Sequence, residues 1–267
     1  MNGDARAVVR LEAVTHWYGA GGRPARPVLA DFSLLAAPGE WLCVLGPSGC
    51  GKTTLLNLVA GFFAPRRGKV LCGGRSVAGP GPDRAVVFQE ATLFPWLTVA
   101  GNVGFGLKRQ GLRGEAHDAA VAREIARMGL SGHAGKYPHA LSGGMRQRVA
   151  IARVLALSPA VLLLDEPFSA LDLPTRERLQ DELLAIWAET GATVLHVTHS
   201  VEEAAYCGDR VLVMPRAGGG CVEEVSVDIP RPRARLGREV MGLEARLRHA
   251  LRACLLQTPA ATEEGKS

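Results

Sequence analysis

The sequence lacks the features that mark several protein classes. No apolar run reaches the roughly 18 residues that a membrane-crossing helix needs. The opening residues MNGDARAVVR carry no apolar signal-peptide core. Any work at a membrane is therefore expected to go through a partner. None of the six cysteines (Cys43, Cys50, Cys72, Cys207, Cys221 and Cys254) forms a C-x-x-C pair, and no histidine cluster accompanies them. That argues against a structural zinc site. Several of these cysteines stand in apolar runs and are expected as buried thiols in a reducing cytosol. There is no internal repeat and no low-complexity block. With 47% hydrophobic and 21% charged residues, wholesale disorder is excluded as well. The 267 residues suffice for one large α/β domain or a domain with a small appendage. A formal charge of +5 suits an anionic ligand or a membrane surface, and equally a solvated basic surface. It is no nucleic-acid footprint by itself.

The hydrophobic pattern sets out an α/β core. AVVRLEAVTHWYG (7–19) opens with β-branched residues, and PVLADFSLLAAPGEW (27–41) alternates at Phe32 and Leu34 before a Pro-Gly turn at 38–39. These read as antiparallel strands and a hairpin. Three continuous apolar runs, WLCVLG (41–46), VLLLD (161–165) and ATVLHVTH (192–199), suit strands buried on both faces, as in a parallel sheet. KTTLLNLVAGF (52–62) reads as a helix between strands. AHDAAVAREIARMGL (116–130) and RQRVAIARVLAL (146–157) are helical in pattern with no strand between them, which marks the middle section as a helical insertion. The Gly/Pro/Arg-rich stretch 215–237 reads as a hairpin followed by a linker. Leu236, Val240, Leu243, Leu247, Leu251 and Leu255 then recur at helical spacing. They predict an amphipathic C-terminal helix, weakened by Gly242, that packs on its own domain. The last residues, TPAATEEGKS, read as a frayed tail.

Two turns in this chain are built to hold an anion. GPSGCGKT (46–53) matches G-x-x-x-x-G-K-[ST] in full, with an apolar strand before it and a helix after it. Gly46, Pro47, Ser48, Gly49, Cys50 and Gly51 form a loop whose backbone N–H groups can face inward, backed by a helix N-terminus. Lys52 is placed to reach β- and γ-phosphates, Thr53 to ligate Mg²⁺, and Thr54 to contact an α-phosphate oxygen. The apolar run VLLLDEP (161–167) delivers Asp165 to the sheet edge, where it can orient a water on Mg²⁺, with Glu166 next to it as a proton acceptor. Asp-Glu pairs after strands also serve as helix caps or surface charges, and the phosphate loop weighs for the catalytic reading. The second turn is LSGGM (141–145). Ser142, Gly143 and Gly144 stand at a helix start as an anion nest, and Ser142 also suits an ordinary N-cap.

With these motifs in order, the sequence resembles the ATP-binding subunits of ABC transporters over roughly residues 7–235. The resemblance adds Gln89 in VVFQE, the D-loop SALD (169–172) with Asp172, the switch histidine His199 in VTHS, and Tyr18 in HWYG as the aromatic against adenine, with Trp17 adjacent. Met145 stands where many relatives have glutamine, and Ser200 where aspartate is frequent. The family implies a P-loop NTPase core, a RecA-like parallel sheet, with an N-terminal antiparallel β subdomain and a helical signature-motif subdomain at about 92–158. Residues 236–267 follow as a C-terminal helix and flexible tail.

Functionally, the resemblance implies an ATPase that uses ATP and Mg²⁺, the latter held by Thr53, Gln89 and Asp165. Glu166, His199, Gln89 and Lys52 would act in hydrolysis. Two copies would meet head to tail, so that Ser142, Gly143 and Gly144 act on the ATP of the partner subunit and Asp172 organises the interface. The apolar stretch 91–107, with Phe94, Pro95 and Trp96, would form a groove for a helix of the permease. GPGPDRAVVFQEATLFPW and DIPRPR (228–233) resemble the nitrate/sulfonate/taurine importer branch. That branch works at the cytoplasmic face of the membrane with an extracytoplasmic solute-binding protein and no nucleic acid. The competing readings are a soluble ABC ATPase of DNA repair or translation, a regulatory module that holds ATP without turnover, and an exporter.

Overall fold

The structure is a computed structural model that describes residues 8–19, 27–215 and 223–256. β1 (Val9–His16) and β2 (Leu29–Ala36) pair antiparallel, with Val9 opposite Ala36 and Leu11 opposite Leu34. The register shifts between Leu11 and Val14, where Ala13 takes a left-handed φ of 46°. This bulge lets Val14 continue the buried face that Val9 and Leu11 begin. The Pro38-Gly39 turn does not close a hairpin. It carries the chain out of this sheet and into β3 (Trp41–Leu45), which belongs to a second one. Composition marks a turn but not which sheet the next strand joins.

α1 (Lys52–Ala60) follows β3, then β4 (Arg67–Cys72) and the short β5 (Arg75–Ser76) complete the first sheet in the order β2-β1-β4-β5. β6 (Arg84–Val87) opens the helical section: α2 (Val99–Arg109), α3 (Gly114–Arg127) and α4 (Gly143–Leu155). Within this section α2 has a poor helical signal because it holds Gly101, Gly104 and Gly106. Contact explains two of them. A Cβ on Gly104 would lie 2.5 Å from His117 Nε2 of α3, and one on Gly106 would lie 2.6 Å from Leu157 Cδ2 just past α4. The glycines trade helix propensity for close approach.

β7 (Val161–Asp165), α5 (Leu173–Thr190), β8 (Thr193–Thr198), α6 (Val201–Cys207), β9 (Arg210–Val213), β10 (Glu223–Ser226) and α7 (Arg238–Leu256) follow. The second sheet runs β10-β9-β3-β8-β7-β6, parallel except for β10. Trp41, Cys43 and Leu45 of β3 face a core shared with the helices α2 to α7. Leu42 and Val44 face the core shared with α1 and the antiparallel sheet. Burial on both faces accounts for the uninterrupted apolar runs. The fold is a P-loop NTPase α/β core with an antiparallel sheet, two of whose strands precede β3 and two of which follow α1, and with a helical section inserted after β6.

The stretch after β10 is not a loose linker. Arg233, 6% exposed, donates to the carbonyls of Ala205, Tyr206 and Gly208 and so caps the end of α6. The Arg231 guanidinium lies 4.6 Å from the Trp187 ring, and that of Arg235 lies 3.6 Å from the Tyr206 ring while pairing with Asp181. Three arginines that read as linker polarity find partners distant in sequence. α7 packs on the body through buried Val240, Leu247, Ala250 and Cys254, with Leu243 and Leu251 half-buried. Leu236, expected in the apolar stripe, precedes the helix and is 89% exposed. The Leu255 side chain, Cys221 and the tail lie outside the described residues. The five described cysteines are buried free thiols, as expected. Among the described residues no helix is long and apolar enough to cross a membrane.

Candidate nucleotide site

The C-terminal ends of β3, β8, β7 and β6 stand side by side and supply, in that order, the phosphate loop, His199, Asp165–Glu166 and Gln89. Crevices at such strand ends are where open α/β sheets bind ligands. Here the cleft holds about 410 Å³ and is lined by Tyr18, Ser48, Gly49, Lys52, Gln89 and Glu166 among others.

The loop's own chemistry fixes its shape. Gly46 N–H donates to the Thr198 carbonyl at 3.3 Å, and a Cβ there would lie 2.7 Å from Cys50 Sγ and 3.1 Å from the Met214 carbonyl oxygen. Gly49 and Gly51 take φ of 78° and 106°. Such values favour glycine strongly, so the loop turns tightly and starts α1 without a side-chain cap. Burial pushes the Cys50 thiol up, so it stays protonated. Lys52 is 5% exposed; its ammonium donates to the carbonyls of Gly46 (2.8 Å) and Pro47 (3.0 Å) and lies 3.6 Å from Glu166 Oε1.

Thr53 Oγ1 donates to Asp165 Oδ1 at 3.2 Å. Burial pushes the Asp165 carboxyl above its ordinary range, against the pull of the Thr53 hydroxyl and the Lys52 ammonium. Glu166 has a left-handed φ of 45°, a conformation that costs a non-glycine residue about 1 kcal/mol or more. Its N–H donates to the Val197 carbonyl, and its own carbonyl accepts from Ser169 Oγ, both at 3.0 Å. The carboxylate is thereby held 2.8 Å from His199 Nδ1. An ionised carboxylate only accepts, so Nδ1 donates and Nε2 is left as the outward nitrogen.

Tyr18 lines the cleft, with its hydroxyl 2.8 Å from Thr54 Oγ1 and its ring edge-on to Phe63. Trp17 lies under the Arg66 guanidinium at 5.8 Å and does not line the cleft. The Tyr18–Thr54 contact engages the threonine hydroxyl expected on the α-phosphate, and no local sequence signal announces it.

Gly46, Pro47, Cys50, Asp165 and His199 adjoin the cleft lining without belonging to it, whereas Ser142, Gly143, Gly144 and Asp172 are neither in the lining nor bonded to it. Ser142 Oγ accepts the Met145 N–H at 3.3 Å as the cap of α4, and Asp172 accepts the Thr175 N–H at 3.3 Å as the cap of α5. Hydrogen bonds from the Thr175 hydroxyl and N–H hold the Asp172 carboxyl below its usual range. The two signature glycines differ. A Cβ on Gly144 would lie 3.3 Å from Thr175 Cγ2 and 3.5 Å from Leu171 Cδ2, so its close approach is to this chain. Gly143 faces open space, with only Arg146 Nη2 at 3.9 Å.

A separate apolar groove of about 260 Å³ lies beside α2, lined by Phe62, Phe88, Phe94, Phe105 and Leu157, with Arg153 at its side. The Arg153 guanidinium lies 5.4 Å from the Phe94 ring. Asn102, fully buried, accepts the Phe94 N–H and donates to the carbonyls of Phe94, Leu97 and Thr98. It fixes the loop that leaves Trp96 70% exposed.

Residues 29–169 match the family model described as ABC transporter. The chain belongs to the ABC transporter family. Over 230 residues it is 47% identical to an uncharacterized ABC transporter ATP-binding protein of Methanocaldococcus jannaschii, covering 86% of each chain. It is 47% identical over 203 residues to the taurine import ATP-binding protein TauB of Yersinia pestis, covering 76% of this chain and 80% of that one. It is 46% identical over 214 residues to the bicarbonate transport ATP-binding protein CmpD of Synechocystis, covering 78% and 76%. Among solved structures it is similar to an ATP-binding cassette in a dimeric post-hydrolysis state bound to ADP and phosphate. That match has a TM-score of 0.74 and 31% identity, and covers 83% of this chain and all of that one. This ABC protein is an ATP-binding, ATP-hydrolysing subunit.

Proposed function

We propose that the subunit energises import of a small polar solute, working as a head-to-tail pair of copies at the cytoplasmic face of a permease. The observation that carries the hydrolytic part is the Glu166 carboxylate, held between Lys52 (3.6 Å) and His199 (2.8 Å) at the cleft. In this reading residues 7–235 are the ABC domain, with the helical subdomain at about 92–158, and 236–267 form a C-terminal appendage.

ATP enters with its adenine against Tyr18 and its phosphates along Gly46–Thr54. Lys52 exchanges the Gly46 and Pro47 carbonyls for β- and γ-phosphate oxygens, and Thr54 turns from Tyr18 to the α-phosphate. The Thr53 hydroxyl, Gln89 amide and Asp165 carboxylate are hard oxygen donors of the kind Mg²⁺ takes together with phosphate oxygens. Among the described residues no cluster of three or more His, Cys, Asp or Glu could hold a metal alone, which fits a cation that arrives with its nucleotide. Held by Thr53, Gln89 and Asp165, Mg²⁺ would offset the charge of the phosphates.

Glu166 accepts a proton from the water that attacks the γ-phosphorus in line, and the bond to the ADP oxygen breaks. His199 steadies Glu166 and offers its outward nitrogen to the γ-phosphate. Ser142, Gly143 and Gly144 of the second copy complete the γ-phosphate's surroundings, and Asp172 shapes the contact between copies. ADP cannot bridge as far, so hydrolysis favours opening.

Import rather than another task is supported by the apolar groove beside Trp96, a surface that suits a permease helix, and by the relatives named for taurine import and bicarbonate transport. The solute is expected among taurine, sulfonates, nitrate, bicarbonate and similar small molecules, delivered by an extracytoplasmic binding protein. No nucleic acid takes part.

Glu166→Gln is expected to keep ATP affinity, lose turnover by about a hundredfold or more, and elute as a dimer with ATP and Mg²⁺ in size-exclusion. A variant that binds ATP yet stays monomeric would overturn the two-copy reading. ATPase stimulation in the reconstituted complex, screened over the four solute classes, tests the substrate.

A further inference from the structure

Two buried polar side chains beside the cleft have no part in the chemistry above. Thr198 ends β8 directly before His199 and is 1% exposed; Glu203 lies one turn into α6 and is 4% exposed. Thr198 Oγ1 donates to Glu203 Oε2 at 2.6 Å and accepts the N–H of Ser200 at 3.0 Å. Ser200 Oγ in turn accepts the Glu203 N–H at 3.2 Å. The two neighbours of His199 are thus tied into one ring of hydrogen bonds that closes around it.

Ser200-x-x-Glu203 has the spacing of a capping box, in which the glutamate reaches back to the N–H of the cap residue. Here the Thr198 hydroxyl stands between the two groups. Ordinary capping needs neither that hydroxyl nor a buried carboxylate, which is costly to desolvate. The surroundings keep Glu203 charged nonetheless. Burial pushes its carboxyl up, and His196, the Thr198 hydroxyl and Arg176 outweigh that and hold it below its usual range. His196 is fully buried, with Nε2 3.6 Å from Glu203 Oε2. The Thr198 carbonyl also accepts the N–H of Gly46, so the same residue touches the first residue of the phosphate loop.

We propose that Thr198 and Glu203 are positioning residues for ATP hydrolysis. They lock the turn that aims the His199 imidazole at Glu166. The proposal rests on the role given to His199 above. His199 itself is half-exposed, and among the described residues its side chain bonds to Glu166. Its aim therefore depends on the backbone on either side, which Thr198 and Ser200 supply. A misplacement of about 1 Å at such a group can cost on the order of a hundredfold in rate.

The test is steady-state ATP turnover and equilibrium ATP binding by the full-length chain carrying Thr198→Val, Thr198→Ser, Glu203→Gln, His199→Ala and the double change T198V/H199A. Thr198→Val keeps the shape and the carbonyl and removes only the hydroxyl. It is expected to lower kcat about tenfold or more with ATP affinity within about twofold. Thr198→Ser restores turnover, and Glu203→Gln, which keeps an acceptor, falls between. The double variant is no slower than His199→Ala alone, because the hydroxyl acts through the imidazole. The His199 imidazole proton resonances shift in Thr198→Val and stay in place in Thr198→Ser, a readout independent of activity. Thr198→Val at full turnover while His199→Ala is impaired would overturn the positioning role alone. The same holds if Thr198→Val loses the same factor with or without His199. Full turnover in His199→Ala would remove the role given to His199 and this proposal with it.

Discussion

Lys52 Nζ and Glu166 Oε1 face each other at 3.6 Å, while the same ammonium is hydrogen-bonded to the Gly46 and Pro47 carbonyls. The lysine thus holds the loop in shape and stands next to the residue proposed to activate water. Lys52→Ala removes the cation proposed to exchange these carbonyls for phosphate oxygens. Charge-assisted bonds of this kind are worth about 1.5–3 kcal/mol each, so ATP affinity is expected to fall roughly ten- to hundredfold. Titration calorimetry or nucleotide fluorescence checks it; unchanged affinity would contradict the assignment.

Gly143 separates folding from function. It begins α4 with open space around its missing Cβ. Gly143→Ala is expected to raise stability by a few tenths to about 1 kcal/mol through helix propensity. It is also expected to lower ATP turnover, since in the proposed pair of copies the added methyl would stand where the partner's γ-phosphate approaches. Melting curves and turnover, measured on the same preparation, test the pair of effects. A variant as active as the parent would show that this backbone meets no ligand.

Tyr206 predicts an alkaline signature. Burial and the hydrogen bond it donates to Asp181 push its hydroxyl up to about 12. Between the ordinary phenol value near 10 and that value, the unfolded chain loses this proton before the folded one does. The stabilisation is therefore complete below about pH 10 and is lost as pH rises through about 12. Tyr206→Phe should unfold in urea with a shallower pH dependence over that window, and its difference titration at the phenolate absorbance should show one group missing near pH 12.

Trp96 offers a test of the docking groove. Its side chain is 70% exposed on a loop fixed from inside by Asn102. Trp96→Ala is expected to leave ATP affinity and melting temperature within error and to reduce permease-stimulated turnover severalfold. Equal stimulation by the permease would move the docking surface elsewhere.

The parts legible in the sequence are those whose chemistry is contiguous. Gly46–Thr54, Asp165–Glu166 and His199 each sit at the end of an apolar run, and a strand end in a parallel sheet needs no further address. The glycine-bearing α2 was obscured because Gly104 and Gly106 answer to His117 and Leu157 rather than to their own helix. Arg231, Arg233 and Arg235 read as linker because the carbonyls and rings that tie them to the body lie about 25 to 60 residues away. The ring through Thr198 and Glu203 did have a local signal, Ser200-x-x-Glu203, but spacing alone does not show that a hydroxyl from the preceding strand completes it.

Among the described residues β3, the strand that ends in the phosphate loop, pairs with β8 and β9 alone. β8 is made about 150 residues later in synthesis, and β9 later still. A nascent chain emerging from the ribosome therefore carries an intact nucleotide motif on an unpaired strand, with Leu42 and Val44 uncovered, for most of its translation. Uncovered apolar surface and an unpaired strand edge are what make a folding intermediate prone to aggregate, so the cost of placing the nucleotide motif early in the chain falls on that interval.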